Sequence, residues 1–97
     1  MYWVYILRSI IYRRALYIGY TTDLSARIEE HNNGKSFHTR KYMPWELVYC
    51  EGYANIQDAK DRERKLKQFG KVYSQLKRRI MRSLQSAQKV RGQASYE

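Results

Sequence analysis

The chain has 97 residues, 43% hydrophobic and 14% aromatic, enough for one compact domain and too few for a second core. Its single cysteine, Cys50, excludes an internal disulfide and a cysteine-rich zinc site. The formal charge of +10 is concentrated in residues 60–91, where twelve Lys or Arg face only Asp61 and Glu63; the expected partner is a polyanion, unless the segment is simply a solvated helix face.

From the N-terminus, YWVYILR alternates Trp3, Tyr5 and Leu7 with Tyr2, Val4 and Ile6 and is rich in strand formers, which predicts a first strand. ALYIGY, ending at Tyr20, predicts a second. The connecting SIIYRR contains no Gly, Asn or Asp, so a hairpin there rests on proximity and not on turn chemistry. Gly19, among bulky residues, predicts close approach by another backbone or a ligand. Thr22 or Asp23 can cap a helix from about Leu24, with Leu24 and Ile28 as its buried stripe and Asn32 to Gly34 as its stop.

KSFHTRKYMP then reads as a loop, and WELVYCEGY alternates Trp45, Leu47 and Tyr49 with Glu46, Val48 and Cys50 as a third strand. Trp45 and Cys50 are expected to be buried. Asn55 caps a second helix through about Phe69, closed by Gly70, with Ile56, Ala59, Leu66 and Phe69 as its apolar positions. From Val72, the spacing of Leu76, Ile80, Leu84 (or Ser83) and Ala87 predicts a third, amphipathic helix ending near Gly92, followed by a loose tail. The order ββαβαα predicts an α+β fold, a small, mostly antiparallel three-stranded sheet flanked by helices. No apolar run approaches the roughly 20 residues of a membrane span. The N-terminus lacks the basic region and cleavage site of a signal peptide. A reduced, cytoplasmic protein is the expectation.

Three polar features stand where packing favours apolar groups. Arg27 and His31 are one helical turn apart, on a face adjoining Leu24 and Ile28. An ion pair from Asp23 to Arg27, and a helix-dipole role for His31, are the ordinary readings. Glu63 falls at the border of the second helix's apolar stripe, where a carboxylate needs a partner such as Arg27 or Arg62, or a metal ion. Tyr5 and Tyr17 can be packing aromatics or site groups.

Taken together, Val4-Tyr5-Ile6, Tyr17-Ile18-Gly19, TTDLSARIEEHNNGK, PWELVYCEGY and DAKDRERKLK resemble the GIY-YIG nuclease family in order and spacing. The likeness is to its small stand-alone members, similar to the nuclease domain of the bacterial excision-repair endonuclease. It covers residues 1 to about 80 as a nuclease-like domain and leaves 81–97 as a basic helical extension and tail. Val4 stands in place of the family's first glycine. The asparagine that larger members carry beyond the glutamate helix has no counterpart, since none follows Asn55.

The resemblance implies hydrolysis of phosphodiester bonds in DNA, structured or damaged, with one divalent cation, Mg²⁺ or Mn²⁺, held by Glu63. Arg27 would offer its planar fork to the phosphate oxygens. Tyr17 is the first choice for general base and His31 the second, with Tyr5 orienting water or phosphate. A free phenol has a pKa near 10, so Tyr17 needs Arg27 or the cation close by; an imidazole, at about 6.5, is matched to neutral pH on its own. Lys35, His38, Arg40 and Lys41, interleaved with Phe37 and Tyr42, suit phosphate contact and base stacking. Arg78, Arg79 and Arg82 could follow a phosphate backbone. DNA is expected ahead of RNA, with a protein partner for targeting also allowed. Two rivals remain: a nucleic-acid-binding module of the same fold with little or no cleavage, and a basic amphipathic helix over residues 71–91 for a membrane or partner protein.

Overall fold

The computed structural model describes residues 1–85. Strand β1 (Tyr2–Ser9) lies between β2 (Leu16–Thr21) and β3 (Trp45–Tyr53), antiparallel to both. β1 takes the centre because it is apolar on both sides: Val4, Tyr5, Ile6 and Leu7 are all fully buried. Strand alternation divides them between two cores. Val4 and Ile6 join Ile18, Ala59, Leu66, Leu76 and Ile80 on one face, under α2 (Ile56–Gln68) and α3 (Gly70–Arg79). Tyr5 and Leu7 join Trp45 on the other, against Leu24 and Ile28 of α1 (Leu24–Asn32) and Tyr42 of a short 3-10 turn (Arg40–Tyr42). The α+β fold, the three-stranded sheet and the order ββαβαα are as expected.

The helix ends follow the chemistry read from the sequence. The Asp23 carboxylate accepts from the Ala26 amide at 3.1 Å, and the Asn55 side chain accepts from Gln57 at 2.7 Å. Such caps contribute about 1 kcal/mol each. Past α1, Gly34 adopts a φ of +73°, its amide donates to His31 O and the Lys35 amide reaches Glu30 O at 3.1 Å. That pair of bonds is a Schellman closure, for which a left-handed glycine is the usual residue.

Several expectations are corrected. The hairpin turn is organised by Ser9, which is fully buried: its hydroxyl accepts from the Tyr12 amide at 2.9 Å and donates to Tyr42 O at 2.7 Å. β3 does not alternate strictly, because its register slips between Ile6, opposite Tyr49, and Leu7, opposite Leu47. Val48 is the extra residue of this bulge, which puts Trp45 and Cys50 against the same core and leaves Leu47 exposed. Trp45 is buried as expected, whereas Cys50 is only half-buried. Ile56 and Phe69, at the two ends of α2, are exposed, and the helix buries Ala59 and Leu66 alone. Gly70 opens α3 instead of standing apart as a terminator. α3 stops at Ile80, with helical backbone again over 81–85, and Leu76, Ile80 and Leu84 all pack on the core. The apolar side of α3 is thus taken up by the core. Its expected continuation to Gly92 and the loose tail lie outside the described residues. Among these, no helix is long and apolar enough to cross a membrane.

Candidate active site

β2 is an edge strand; α2 packs on one face of the sheet, over β1 and β2, and α1 on the other, closest to β3. The five residues singled out in the sequence gather in two tiers. Tyr5 and His31 form the lower, buried tier. His31 is the one fully buried residue of α1, where an aliphatic side chain is normal. Its Nε2 lies 3.0 Å from the Tyr5 hydroxyl and its Nδ1 2.7 Å from Thr39 Oγ1. Thr39 is buried as well, and its carbonyl accepts from the Trp45 indole N–H at 2.9 Å.

Gly19 makes this tier possible. It sits directly opposite Tyr5 on the neighbouring strand, and a Cβ at this position would come within 2.6 Å of the Tyr5 hydroxyl. The close approach made at this glycine is that of a side chain, the Tyr5 phenol.

Tyr17, Arg27 and Glu63 form the upper tier, each partly exposed. The Tyr17 ring lies 4.8 Å from the His31 ring and 6.3 Å from that of Tyr5, centroid to centroid. Arg27 pairs with Glu30 at 2.8 Å and not with Asp23, whose carboxylate is occupied by its capping bond. Both members of the Arg27–Glu30 pair are about 40% exposed, so it contributes well under 1 kcal/mol and leaves the guanidinium free to exchange partners. Glu63 pairs with Lys67 at 3.2 Å, not with Arg27 or Arg62; Arg62 is taken by Glu51 at 2.7 Å. The same Lys67 ammonium stands 5.7 Å from the centre of the Tyr17 ring, which places Glu63 on the Tyr17 side of the molecule. Lys67, not anticipated as a site residue, had a visible signal in its acid-then-base spacing from Glu63. Thr39 lay in an aperiodic loop and gave none.

The electrostatics separate the tiers. Burial pushes the Tyr5 phenol up to about 12, against the pull of the Arg27 guanidinium, so Tyr5 stays protonated at neutral pH. The Tyr5 hydroxyl, and after it the Glu30 carboxylate, raise the Arg27 pKa above its already high value. Burial, then the Arg27 charge, lowers the pKa of His31, which favours the neutral imidazole. An imidazole that protonates in the unfolded chain but not in the folded one contributes stability that is complete above its unfolded pKa of about 6.5 and is lost as pH falls below it. Thermal melts should therefore show a midpoint that falls between about pH 7.5 and 5.5 in the wild type and falls less in His31→Gln. A flat wild-type profile would be incompatible with a buried neutral imidazole.

Among the described residues, no three His, Cys, Asp or Glu side chains gather to hold an ion. Glu63 alone suits a cation of the Mg²⁺ type, which keeps several waters and takes phosphate oxygens as further ligands. The upper tier thus combines a hard oxygen donor, a guanidinium fork and an accessible phenol over a preorganised support.

The basic residues fall into two groups. Lys35, His38, Arg40 and Lys41 are all exposed, the last three lining a shallow cavity of about 310 Å³ with Phe37. The Arg40 guanidinium lies 5.0 Å above the Phe37 ring. Thr39, within this loop, ties it to His31. Arg78, Arg79 and Arg82 are exposed on and just after α3, and the Arg79 charge acts on Tyr49 of β3, the strand at the opposite edge of the sheet. Among the described residues, no hydrogen bond or ion pair ties them to Tyr17 or Glu63.

Residues 1–74 match the profile of the family described as the GIY-YIG catalytic domain. Among curated proteins, the chain is 44% identical over 52 residues to a UPF0213 protein of Streptococcus pneumoniae, covering 53% of this chain and 52% of that one. It is 43% identical over 56 residues to a UPF0213 protein of Staphylococcus epidermidis, covering 57% and 68%. With a UPF0213 protein of Oceanobacillus iheyensis it shares 37% identity over 68 residues, 69% and 77% of the two chains. The chain spans about half the length of the first of these relatives. No solved structure matches it. The strand pair carrying Tyr5 and Tyr17, the α1 pair Arg27 and His31, and Glu63 of α2 all fall inside the matched segment, and the chain belongs to the GIY-YIG catalytic domain family, a family of nucleases.

Proposed function

We propose that this protein is an endonuclease that hydrolyses phosphodiester bonds in DNA with the help of one divalent cation, Mg²⁺ or Mn²⁺. The observation that carries the reading is the gathering of Tyr17, Arg27 and Glu63 around the buried Tyr5–His31 pair. When bound at Glu63, the cation supplies Lewis-acid stabilisation of charge on the phosphate. Arg27 presents two parallel N–H donors to the non-bridging oxygens, where negative charge builds as water attacks phosphorus. Tyr17 acts as the base in its phenolate form: its own proton is first given up to solvent, favoured by the Arg27 charge and the cation, and its oxygen then takes the proton of the attacking water. It is favoured over His31, whose two ring nitrogens are already engaged below the surface. Tyr5 is fully buried, which makes it a support for the upper tier and not a direct phosphate contact.

The loop around Phe37 supplies phosphate contacts through Lys35, His38, Arg40 and Lys41, and a ring for base stacking. Arg78, Arg79 and Arg82 extend the basic surface along α3 and can hold a more distant part of the backbone. A panel of labelled duplex, branched, damaged and single-stranded DNA, with matching RNA, tests the reading. Cleavage of DNA that needs Mg²⁺ or Mn²⁺ supports it, while binding without cleavage throughout would favour the nucleic-acid-binding module. Tyr17→Phe, which removes only the oxygen, should lower kcat by about 10²-fold or more and leave binding in place, as loss of a general base does. A wild-type rate in Tyr17→Phe would take Tyr17 out of proton transfer.

A further inference from the structure

We propose that Thr39 is a positioning residue that sets the tautomer and plane of His31: its hydroxyl donates to Nδ1, so that Nε2 carries the ring proton and gives it to the Tyr5 oxygen. Thr39 is 1% exposed, and among the described residues the one hydrogen-bond partner of its Oγ1 is His31 Nδ1. A buried hydroxyl with a single nitrogen neighbour is satisfied as a donor only when that nitrogen accepts. A neutral imidazole has one N–H, so acceptance at Nδ1 puts the proton on Nε2, 3.0 Å from the Tyr5 hydroxyl.

Proton counting favours the same direction. Thr39, His31 and Tyr5 hold three polar protons between them and form two hydrogen bonds, so one O–H must find its acceptor outside the chain. At the Thr39 end the described residues offer none. At the other end the Tyr5 ring lies 6.3 Å from that of the partly exposed Tyr17, on the side where the site opens. Arg27 is a donor only and cannot take the Tyr5 proton, so the acceptor is sought on the open side of the site, which Thr39 lacks.

The effect extends to the phenol proposed to react. An imidazole tied at both nitrogens cannot turn about its Cβ–Cγ bond, and its ring lies 4.8 Å from that of Tyr17. Thr39 is anchored in turn, its carbonyl by the Trp45 indole and its amide by Ser36 O at 3.2 Å. It stands between His38 and Arg40, so it joins the basic loop to the site.

The effect on rate rests on the nuclease reading, whereas the tautomer does not, and one set of variants separates the two. Long-range ¹H–¹⁵N spectra of the full chain carrying ¹⁵N-labelled histidine assign the His31 tautomer at neutral pH, with His38→Gln identifying the second signal. The Nε2–H form is expected in the wild type and in Thr39→Ser, and a loss of that preference in Thr39→Val. If Thr39→Val does not fold, Thr39→Ala serves for the same comparison. An Nδ1–H imidazole in the wild type overturns the proposal, as does an Nε2–H form that persists unchanged when the hydroxyl is gone. In cleavage assays, Thr39→Val should lower kcat by about 10- to 100-fold with KM little changed, the size of effect known for the outer partners of metal-bound histidines, and Thr39→Ser should restore it. Equal losses in both variants would assign the effect to packing and overturn the positioning role. A wild-type protein that cleaves nothing would overturn the nuclease reading alone, and the spectra would still decide the tautomer.

Discussion

Glu63→Gln should lower cleavage by about a thousandfold or more, since a bound divalent cation contributes several kcal/mol of charge stabilisation in the transition state. DNA affinity should be nearly unchanged, because the phosphate contacts proposed for the Phe37 loop and α3 do not involve Glu63. The fold should survive. Glutamine keeps the length and one oxygen of the carboxylate, and the pair with Lys67, whose own side chain is 46% exposed, contributes no more than about 1 kcal/mol. Single-turnover rates, fluorescence anisotropy and a thermal melt on the same preparation measure the three quantities. Metal-dependent cleavage at near the wild-type rate would remove Glu63 from the chemistry.

The second large effect is expected at Arg27. Arg27→Ala should reduce kcat by about 10²- to 10³-fold, the loss typical of removing one preorganised donor to a developing oxyanion. KM should change less, because a contact that strengthens only in the transition state lowers kcat and kcat/KM together. The stability change should be small, since the exposed Arg27–Glu30 pair contributes only a few tenths of a kcal/mol. Arg27→Lys separates charge from geometry. It keeps the positive charge but not the two-pronged planar fork, and should recover only part of the rate. Full recovery with lysine would mean that a point charge suffices.

The sequence makes much of this arrangement legible. Apolar residues on both sides of residues 4–7 mark a central strand, and the Arg27–His31 spacing puts two site residues on one turn of a helix. The position of Glu63 at the border of an apolar stripe marks it as out of place for packing. What cannot be read is depth. Tyr5 and Tyr17 look alike in their strands and share a face of the sheet, yet one is buried in the central strand and the other half-exposed on the edge strand. Strand order decides that difference, and strand order is a tertiary property. Likewise the β3 bulge at Val48 has no local signature, and Ser9 and Thr39 act through bonds to residues 33 and 8 positions away. The basic surface of α3 is plain in the sequence, but which part of the sheet it faces depends on how α3 packs.

The rate of cleavage of labelled DNA by the purified full chain, followed under single-turnover conditions as Mg²⁺ or Mn²⁺ is titrated and then removed with a chelator, bears most directly on whether Tyr17, Arg27 and Glu63 form a metal-dependent hydrolytic site. The expected result is a rate that rises with cation to saturation and vanishes on chelation, while the DNA stays bound. Cleavage indifferent to the chelator, or tight binding with no cleavage at any cation concentration, would contradict it.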